Sequence, residues 1–288
     1  MTMTVPPLIS VIGPVEPALL TAWVCHYRAL GVERFLLAFH FPDHVDAGRI
    51  MLLREACSEL GIEPAAVSRG PWHEHTNPQL RDELREQAGD GWHLLADSDE
   101  FHAYPAPLEE LLREADLSGT GTVGGLMLDR VAGDGSLTGW DATDGLDAAY
   151  PLGGFLTHHL LRGDPRKIVC AHSSVMVESG QHRARGHRPT NRPPAVVHHF
   201  KWRDGVKEDV QRRAANSVNN NWETKSPARL AEARRLLHHL HSHGGRIDVD
   251  EPRFGFRPVS LREVPEWWAE EATRLVDTWR PPHAAMVS

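Results

Sequence analysis

The chain has 288 residues, is 41% hydrophobic and carries a formal net charge of −8. This length allows one large domain, or one domain with an appended subdomain, and the apolar fraction is ample for a core. The acidic balance argues against a general nucleic-acid binder, which needs a basic field.

The residues before the first element, Met1 to Pro7, lack a basic stretch followed by a hydrophobic core, so they do not read as a signal peptide. Leu8 to Ile12 reads as a first strand closed by Gly13-Pro14. Ala18 to Leu30 reads as a helix, with Leu20, Trp23, Val24, Tyr27 and Leu30 on one face and Gly31 as its stop. Arg34 to Phe39 is a second strand, Asp46 to Leu60 a second helix, Ile62 to Val67 a third strand, and Asn77 to Ala88 a third helix. Trp92 to Ala96 is a short apolar strand that runs into Asp97-Ser98-Asp99-Glu100-Phe101. Strands alternating with helices at this spacing imply an α/β fold with a doubly wound, mostly parallel sheet.

The pattern then changes. Thr122 to Asp129, Phe155 to Leu161, Lys167 to Cys170, Ser174 to Glu178 and Ala195 to Phe200 are strand-like runs between Gly- and Pro-rich turns, so mixed pairing is expected there. The C-terminal third reads as helical. One helix starts at Ser226-Pro227 and stops at Gly244-Gly245, and another spans roughly Leu261 to Trp279. No apolar run approaches membrane-spanning length. Cys25, Cys57 and Cys170 are odd in number and widely spaced, which points to free thiols in a reducing cytoplasm.

The acidic segment carries the functional signal. Alternate residues of a strand share a face, so Asp97 and Asp99 can point the same way. Two carboxylates aimed together at a sheet edge repel each other unless a cation sits between them. Mg²⁺ and Mn²⁺ prefer oxygen ligands and often bridge to phosphate. Ligands on doubly wound sheets bind outside the carboxyl ends of strands, and this motif lies at such an end. The expectation is a metal-diphosphate site acting on a nucleotide-activated substrate.

Further residues extend the pattern in order: Glu16, Trp23-x-x-His26-Tyr27-x-x-Leu30-Gly31-Val32-x-x-Phe35, then Asp97-x-Asp99-Glu100-Phe101. Met127-Leu128-Asp129-x-x-x-x-Gly133-Asp134-Gly135-x-Leu137, Lys167, Gly180-x-His182 and His199-Phe200-Lys201 follow. From about Leu8 to Arg213 the chain resembles the GT-A-type glycosyltransferases of family 2, in their bacterial branch with a DxDEF motif, which is similar to glycosyltransferase family 92. It departs from many relatives in carrying Val15-Glu16 where they have Asn-Glu, and Phe39-His40-Phe41-Pro42-Asp43 where they have an Asp or Asn cluster.

The resemblance implies a GT-A-like domain over residues 1–213, with a nucleotide-binding half to about 103 and an acceptor half from about 104; the helical pattern beyond it, over 214–288, reads as an extension and carries no motif of the family. It implies a metal-dependent transfer of a sugar, with inversion, from a nucleotide-diphosphate donor (a UDP-sugar first) to a hydroxyl of a small-molecule or glycan acceptor. Glu16 and Asp43 lie on the loops expected around base and ribose, and Asp97 and Asp99 are expected to serve the metal, the ribose, or both. His199 is expected as a third metal ligand, which favours Mn²⁺ over Mg²⁺. Lys201, on the same face, is a candidate for phosphate.

Inversion needs a base for the acceptor proton. Asp129, at a strand end, and His182 are the candidates, with the loop acids Asp141, Asp144 and Asp147 as an alternative. Arg183, Arg185 and Arg188 could meet an anionic donor or acceptor. A nucleotidyltransferase and a non-catalytic sugar- or partner-binding protein are the competing readings. The first lacks a Gly-rich phosphate loop near the N-terminus, and the second does not need Asp97, Asp99 and His199.

Overall fold

Five apolar residues between Pro7 and the turn at Gly13 form β1 (Leu8–Ile12), and every one is buried. The computed structural model describes residues 5–71, 73, 75–140, 142–218 and 227–280. After β1 come α1 (Pro17–Ala29), β2 (Phe35–Phe41), α2 (Ala47–Glu59), β3 (Ala66–Arg69), α3 (Thr76–Ala88) and β4 (Trp92–Leu95). Strands β4, β1, β2 and β3 lie side by side in that order and all pair in parallel. The fold is therefore α/β.

Alternation along the strands feeds two cores. Leu8, Ile12, Leu37 and Phe39 pack with Trp23 and Tyr27 of α1, while Ile9, Ala38 and Leu95 pack with Leu84 of α3 on the other face. A parallel sheet covered on both faces needs such continuous apolar strands. Asp46 caps α2 by accepting from Arg49 N at 2.9 Å.

The second half continues the same sheet with mixed pairing. It comprises β5 (Glu100–Ala103), α4 (Leu108–Leu117), β6 (Thr122–Val131), α5 (Leu146–Ala149), β7 (Leu152–Gly154), β8 (Arg166–His172) and β9 (Ala195–His199). Helices α6 (Val206–Val218) and α7 (Pro227–Ser242), strand β10 (Arg257–Pro258) and α8 (Trp268–Thr278) complete it. β8 lies antiparallel between β4 and β6, and β9 pairs parallel with β6 and antiparallel with β5. This register sets His199 opposite both Glu100 and Asp129. Helix α8 covers Leu126, Leu128 and Val196 through Trp268, Ala272 and Leu275. Helices α6 and α7 pack on Val131, Leu156, Leu161 and Trp202. Among the described residues, no helix is long and apolar enough to cross a membrane.

Several expected boundaries move. Pro64 cannot donate to a ladder, and the third strand begins two residues after it, at Ala66. Residues 155–161 are not a strand. A π-helical turn spans Thr157–Leu161, and the strand is β7, where a Cβ at Gly154 would sit 2.7 Å from the Phe254 carbonyl. Ser174 to Glu178 forms only an isolated bridge, Val177 to Ala184. The last helix starts at Trp268, after Pro265, and not at Leu261. Helix α4 goes unanticipated, although Pro107 and the first-turn acids Glu109 and Glu110 mark its start. Ser226 lies outside the described residues.

Candidate functional site

The chain leaves β4 at Leu95 and turns through Asp97-Ser98-Asp99 into β5. Helix α1 pins this turn. Trp23 Nε1 donates to the carbonyls of Asp97 (3.1 Å) and Glu100 (3.0 Å), and Tyr27 Oη donates to Glu100 O at 3.1 Å. His26, which burial lowers to about 4, donates through Nε2 to His102 O at 2.9 Å. The Trp23-x-x-His26-Tyr27 spacing thus places three donors on one helix face against the backbone around the acids.

Asp97, Ser98 and Asp99 line a cleft of about 710 Å³ at the carboxyl ends of the parallel strands. The two carboxylates have different partners. Asp97 Oδ2 accepts from Lys167 Nζ at 2.9 Å and Oδ1 from Gln181 Nε2 at 3.0 Å. Burial alone would raise this carboxyl, but Lys167 holds it below the usual carboxylate range. The same ammonium reaches Glu100 Oε1 at 2.7 Å, and Glu100 Oε2 accepts from Asp97 N at 3.3 Å. One buried cation therefore serves two carboxylates. Burial pushes Glu100 up to about 7, so the shared charge favours Asp97. Among the described residues Asp99 has no such clamp; its Oδ2 sits 3.8 Å from His199 Nε2.

His199 ends β9 and is oriented from behind. Its Nδ1 donates to Asp129 Oδ1 at 2.9 Å. In the neutral ring this leaves Nε2 with its lone pair, directed to the Asp99 side. Asp129 is fully buried. It also accepts from Thr157 N at 2.6 Å, Thr157 Oγ1 at 2.8 Å and Trp202 Nε1 at 2.8 Å. Burial would raise this carboxyl, but His199, then Thr157 and Trp202, hold it down. His198, on the opposite face of β9, is buried against Arg130, with its Nδ1 3.2 Å from Nη1.

The expectation that Asp129 faces the cleft as a base is corrected. It does not line the cleft, and both its oxygens are already committed to donors in the interior. His182 is corrected as well. It lines a separate cavity of about 330 Å³ with Arg166 and Arg183, and its Nδ1 donates to Arg166 O at 2.8 Å. Burial lowers it to about 4. Asp43 is exposed and outside the cleft lining, because the turn closed by Val45 N to Pro42 O aims it at solvent.

Glu16 lines the cleft and binds Arg203 Nη2 at 2.9 Å. Lys201 lines it too, over the Trp202 ring at 5.2 Å, and burial pushes its ammonium down. Arg212 and Arg213 of α6 add further cations. Of the loop acids, Asp144 is exposed, Asp147 is tied to Arg130 at 2.7 Å, and Asp141 lies outside the described residues. Arg183 pairs with Asp164 at 3.0 Å, and Arg188 lies 3.8 Å from Asp277, both away from the cleft.

Sequence reasoning passes over four contributors: Thr157, Trp202, Arg203 and Gln181. Gln181 is the unspecified residue of Gly180-x-His182, yet it enters the cleft while His182 turns away. A run of Gly-x-His with Gly180 at φ 74 and Gln181 at φ 58 signals a reversal that can send neighbours to opposite sides.

Among the described residues, no three His, Cys, Asp or Glu side chains form a ready metal-ligand group. Asp99 and His199 do fit a shared cation as two ligands. A carboxylate oxygen and a carboxylate-oriented imidazole nitrogen stand on one cleft wall, and a third and fourth ligand could come from a substrate. Asp97, held by Lys167 and Gln181, fits that role less well.

No family model matches the chain, and no curated protein matches it. Some solved structures are similar. The mannosyltransferase PcManGT from Pyrobaculum calidifontis, in complex with GDP-Man and Mn²⁺, shares 13% identity at a TM-score of 0.35, over 85% of this chain and 73% of that one. TarS 1-349 from S. aureus shares 11% identity at 0.33, over 82% and 72%. HddC from Yersinia pseudotuberculosis shares 7% identity at 0.30; the match covers 44% of this chain and only 60% of that one.

Proposed function

We propose that the cleft is the donor site of a glycosyltransferase that uses a divalent cation and moves a sugar from a nucleotide diphosphate to an acceptor hydroxyl, with inversion. One observation carries this reading. Asp99 Oδ2 and the Asp129-anchored Nε2 of His199 stand 3.8 Å apart in a cleft that Lys201, Arg203 and Arg212 make attractive to a diphosphate. The ordered resemblance to DxDEF glycosyltransferases supports it.

The residues divide the work. Asp99 and His199 would hold the cation, with Mn²⁺ preferred to Mg²⁺ because one ligand is an imidazole. The bound ion would offset charge growing on the leaving diphosphate. Lys201 contributes a nearby ammonium for the same phosphates. Arg203, with Nε and Nη1 lacking partners among the described residues, contributes donors. Lys167 keeps Asp97 ionised and aimed. Asp129 acts as a positioning residue: it fixes the His199 tautomer and does not take the acceptor proton.

The test is a thermal-shift panel of nucleoside diphosphates, nucleotide sugars and nucleoside triphosphates, with and without Mn²⁺. Ligands that bind the native state raise the melting point. The reading expects diphosphates and their sugar conjugates to shift it only with Mn²⁺. A shift confined to triphosphates would move the assignment to nucleotidyl transfer, and none at all would remove the donor site.

A further inference from the structure

The cavity of about 330 Å³ that His182 lines is enclosed by β6, β8, α8 and the loop from 182 to 194. The sequence makes room for it. Gly124 carries no side chain, and a Cβ there would stand 2.8 Å from Pro189 Cβ. Asn191 ties the loop to that bare strand, donating from Nδ2 to Gly124 O at 2.9 Å and accepting from Gly124 N at 2.8 Å. Ile168, Ala184, Pro194 and Val276 supply apolar walls. Arg166, Arg183, Arg188 and Arg192 line the cavity too, with side chains from 27% to 71% exposed, so they form a part-exposed rim. Arg166 and Arg183 share one carboxylate, Asp164, at 2.8 and 3.0 Å, and both lie over the Trp279 ring, at 4.3 and 5.1 Å. Arg192 holds Asp277 at 2.7 Å, and Arg188 stands 3.8 Å from the same oxygen. Among the described residues, two carboxylates thus answer four guanidinium groups. Burial keeps the His182 ring neutral, lowered to about 4, so the arginines alone charge the site.

We propose that this cavity binds a small organic anion, an aromatic ring bearing one carboxylate, sulfonate or phosphate group, at a site separate from the donor cleft. Apolar walls take a hydrocarbon body out of water, while a part-exposed cationic rim meets the anion where its desolvation costs least. The volume lies at the small end of ligand sites, which run from roughly 300 to 1,000 Å³. Guanidinium suits both parts of such a ligand, because its planar fork pairs with oxyanions and its face stacks on rings. Asp164 and Trp279 already hold Arg166 and Arg183 in place, so little side-chain freedom is lost on binding. The site stands without the donor reading, since Asp99, His199 and Lys201 do not belong to it.

Calorimetric titration of the full chain at neutral pH tests this, with naphthalene-2-sulfonate as the anionic probe and 2-naphthol as its neutral counterpart. The sulfonate is expected to bind saturably, roughly three- to tenfold tighter than 2-naphthol, the worth of one or two part-exposed ion pairs. That advantage should vanish in the double variant Arg183→Gln/Arg188→Gln, whose side chains are both exposed. It should also shrink as salt rises from about 0.05 M to about 0.5 M and screens the rim. Val276→Phe, which fills the cavity from α8, should lose both probes, while Arg213→Ala, in the cleft, should lose neither. Absence of saturable sulfonate binding, equal affinity for the two probes, or an advantage that survives the double substitution overturns the proposal. So does undiminished binding in folded Val276→Phe. Loss of binding in Arg213→Ala would put the probe in the donor cleft and overturn it as well. If Val276→Phe does not fold, the double variant and the neutral probe still decide between these outcomes.

Discussion

Replacing Asp129 with Asn strikes the junction of fold and site. Asp129 Oδ1 accepts from Thr157 Oγ1, His199 and Trp202, while Oδ2 accepts from Thr157 N at 2.6 Å. An amide has one carbonyl oxygen. Placed at the Oδ1 position it keeps three donors, but its nitrogen then meets the Thr157 N–H, donor against donor. Losing that charge-assisted bond costs about 1.5–3 kcal/mol. The three retained bonds fall from a charged to a neutral acceptor and lose about half their strength. The sum is about 4–7 kcal/mol, a large part of the ~5–15 kcal/mol that stabilises a folded protein. Urea unfolding followed by tryptophan fluorescence reads it directly. The sign with pH is also set. A carboxyl held low in the folded state contributes stability above its unfolded pKa and loses it as pH falls. The gap between wild type and Asp129→Asn therefore narrows toward acid. The less basic His199 ring should also weaken Mn²⁺ binding by roughly 10–100-fold. A variant within ~0.5 kcal/mol of wild type at neutral pH, with unchanged Mn²⁺ affinity, would refute the role assigned to Asp129.

Lys167→Met strands the buried Glu100 carboxylate and takes the cation from the part-exposed Asp97, and should cost about 3–5 kcal/mol in urea unfolding, mostly through Glu100. Glu100 is raised to about 7 in the folded state, so its ionisation removes stability as pH climbs from its unfolded range toward 7; Glu100→Gln should abolish that slope in a pH series of melts. His182→Ala should keep turnover within a few-fold of wild type, since the ring lies outside the cleft, whereas His199→Ala should lower donor affinity at least tenfold; the reverse order in steady-state kinetics would return His182 to the chemistry. Trp23→Phe removes the donor shared by the Asp97 and Glu100 carbonyls and should destabilise by about 1–3 kcal/mol in thermal melts.

The parallel half of the sheet was legible because its strands are apolar runs bounded by Gly and Pro, as at Leu8–Ile12 before Gly13-Pro14. The acidic turn was legible for the same reason: Leu95 ends a buried strand and Asp97 follows. What joins the site was not legible. Lys167 reaches Asp97 only because β8 inserts antiparallel between β4 and β6, and no local pattern encodes strand order. Asp129 looked like a strand-end base, but β6 runs on to Val131, and the turn at Thr157, which looked like a strand, delivers two donors to it. Gln181 faces the cleft through a left-handed backbone that its side-chain type does not announce.

The proposed donor site requires Asp99 and His199 to hold one divalent cation with a diphosphate. Pulsed electron paramagnetic resonance of Mn²⁺ bound with a nucleoside diphosphate tests it most directly. Nitrogen-14 modulation from a coordinated imidazole is expected in the wild type. That modulation should be lost in His199→Ala but not in His198→Ala, and tight Mn²⁺ binding should be lost in Asp99→Ala. Nitrogen modulation that persists in His199→Ala, or Mn²⁺ binding unaffected by Asp99→Ala, would contradict it.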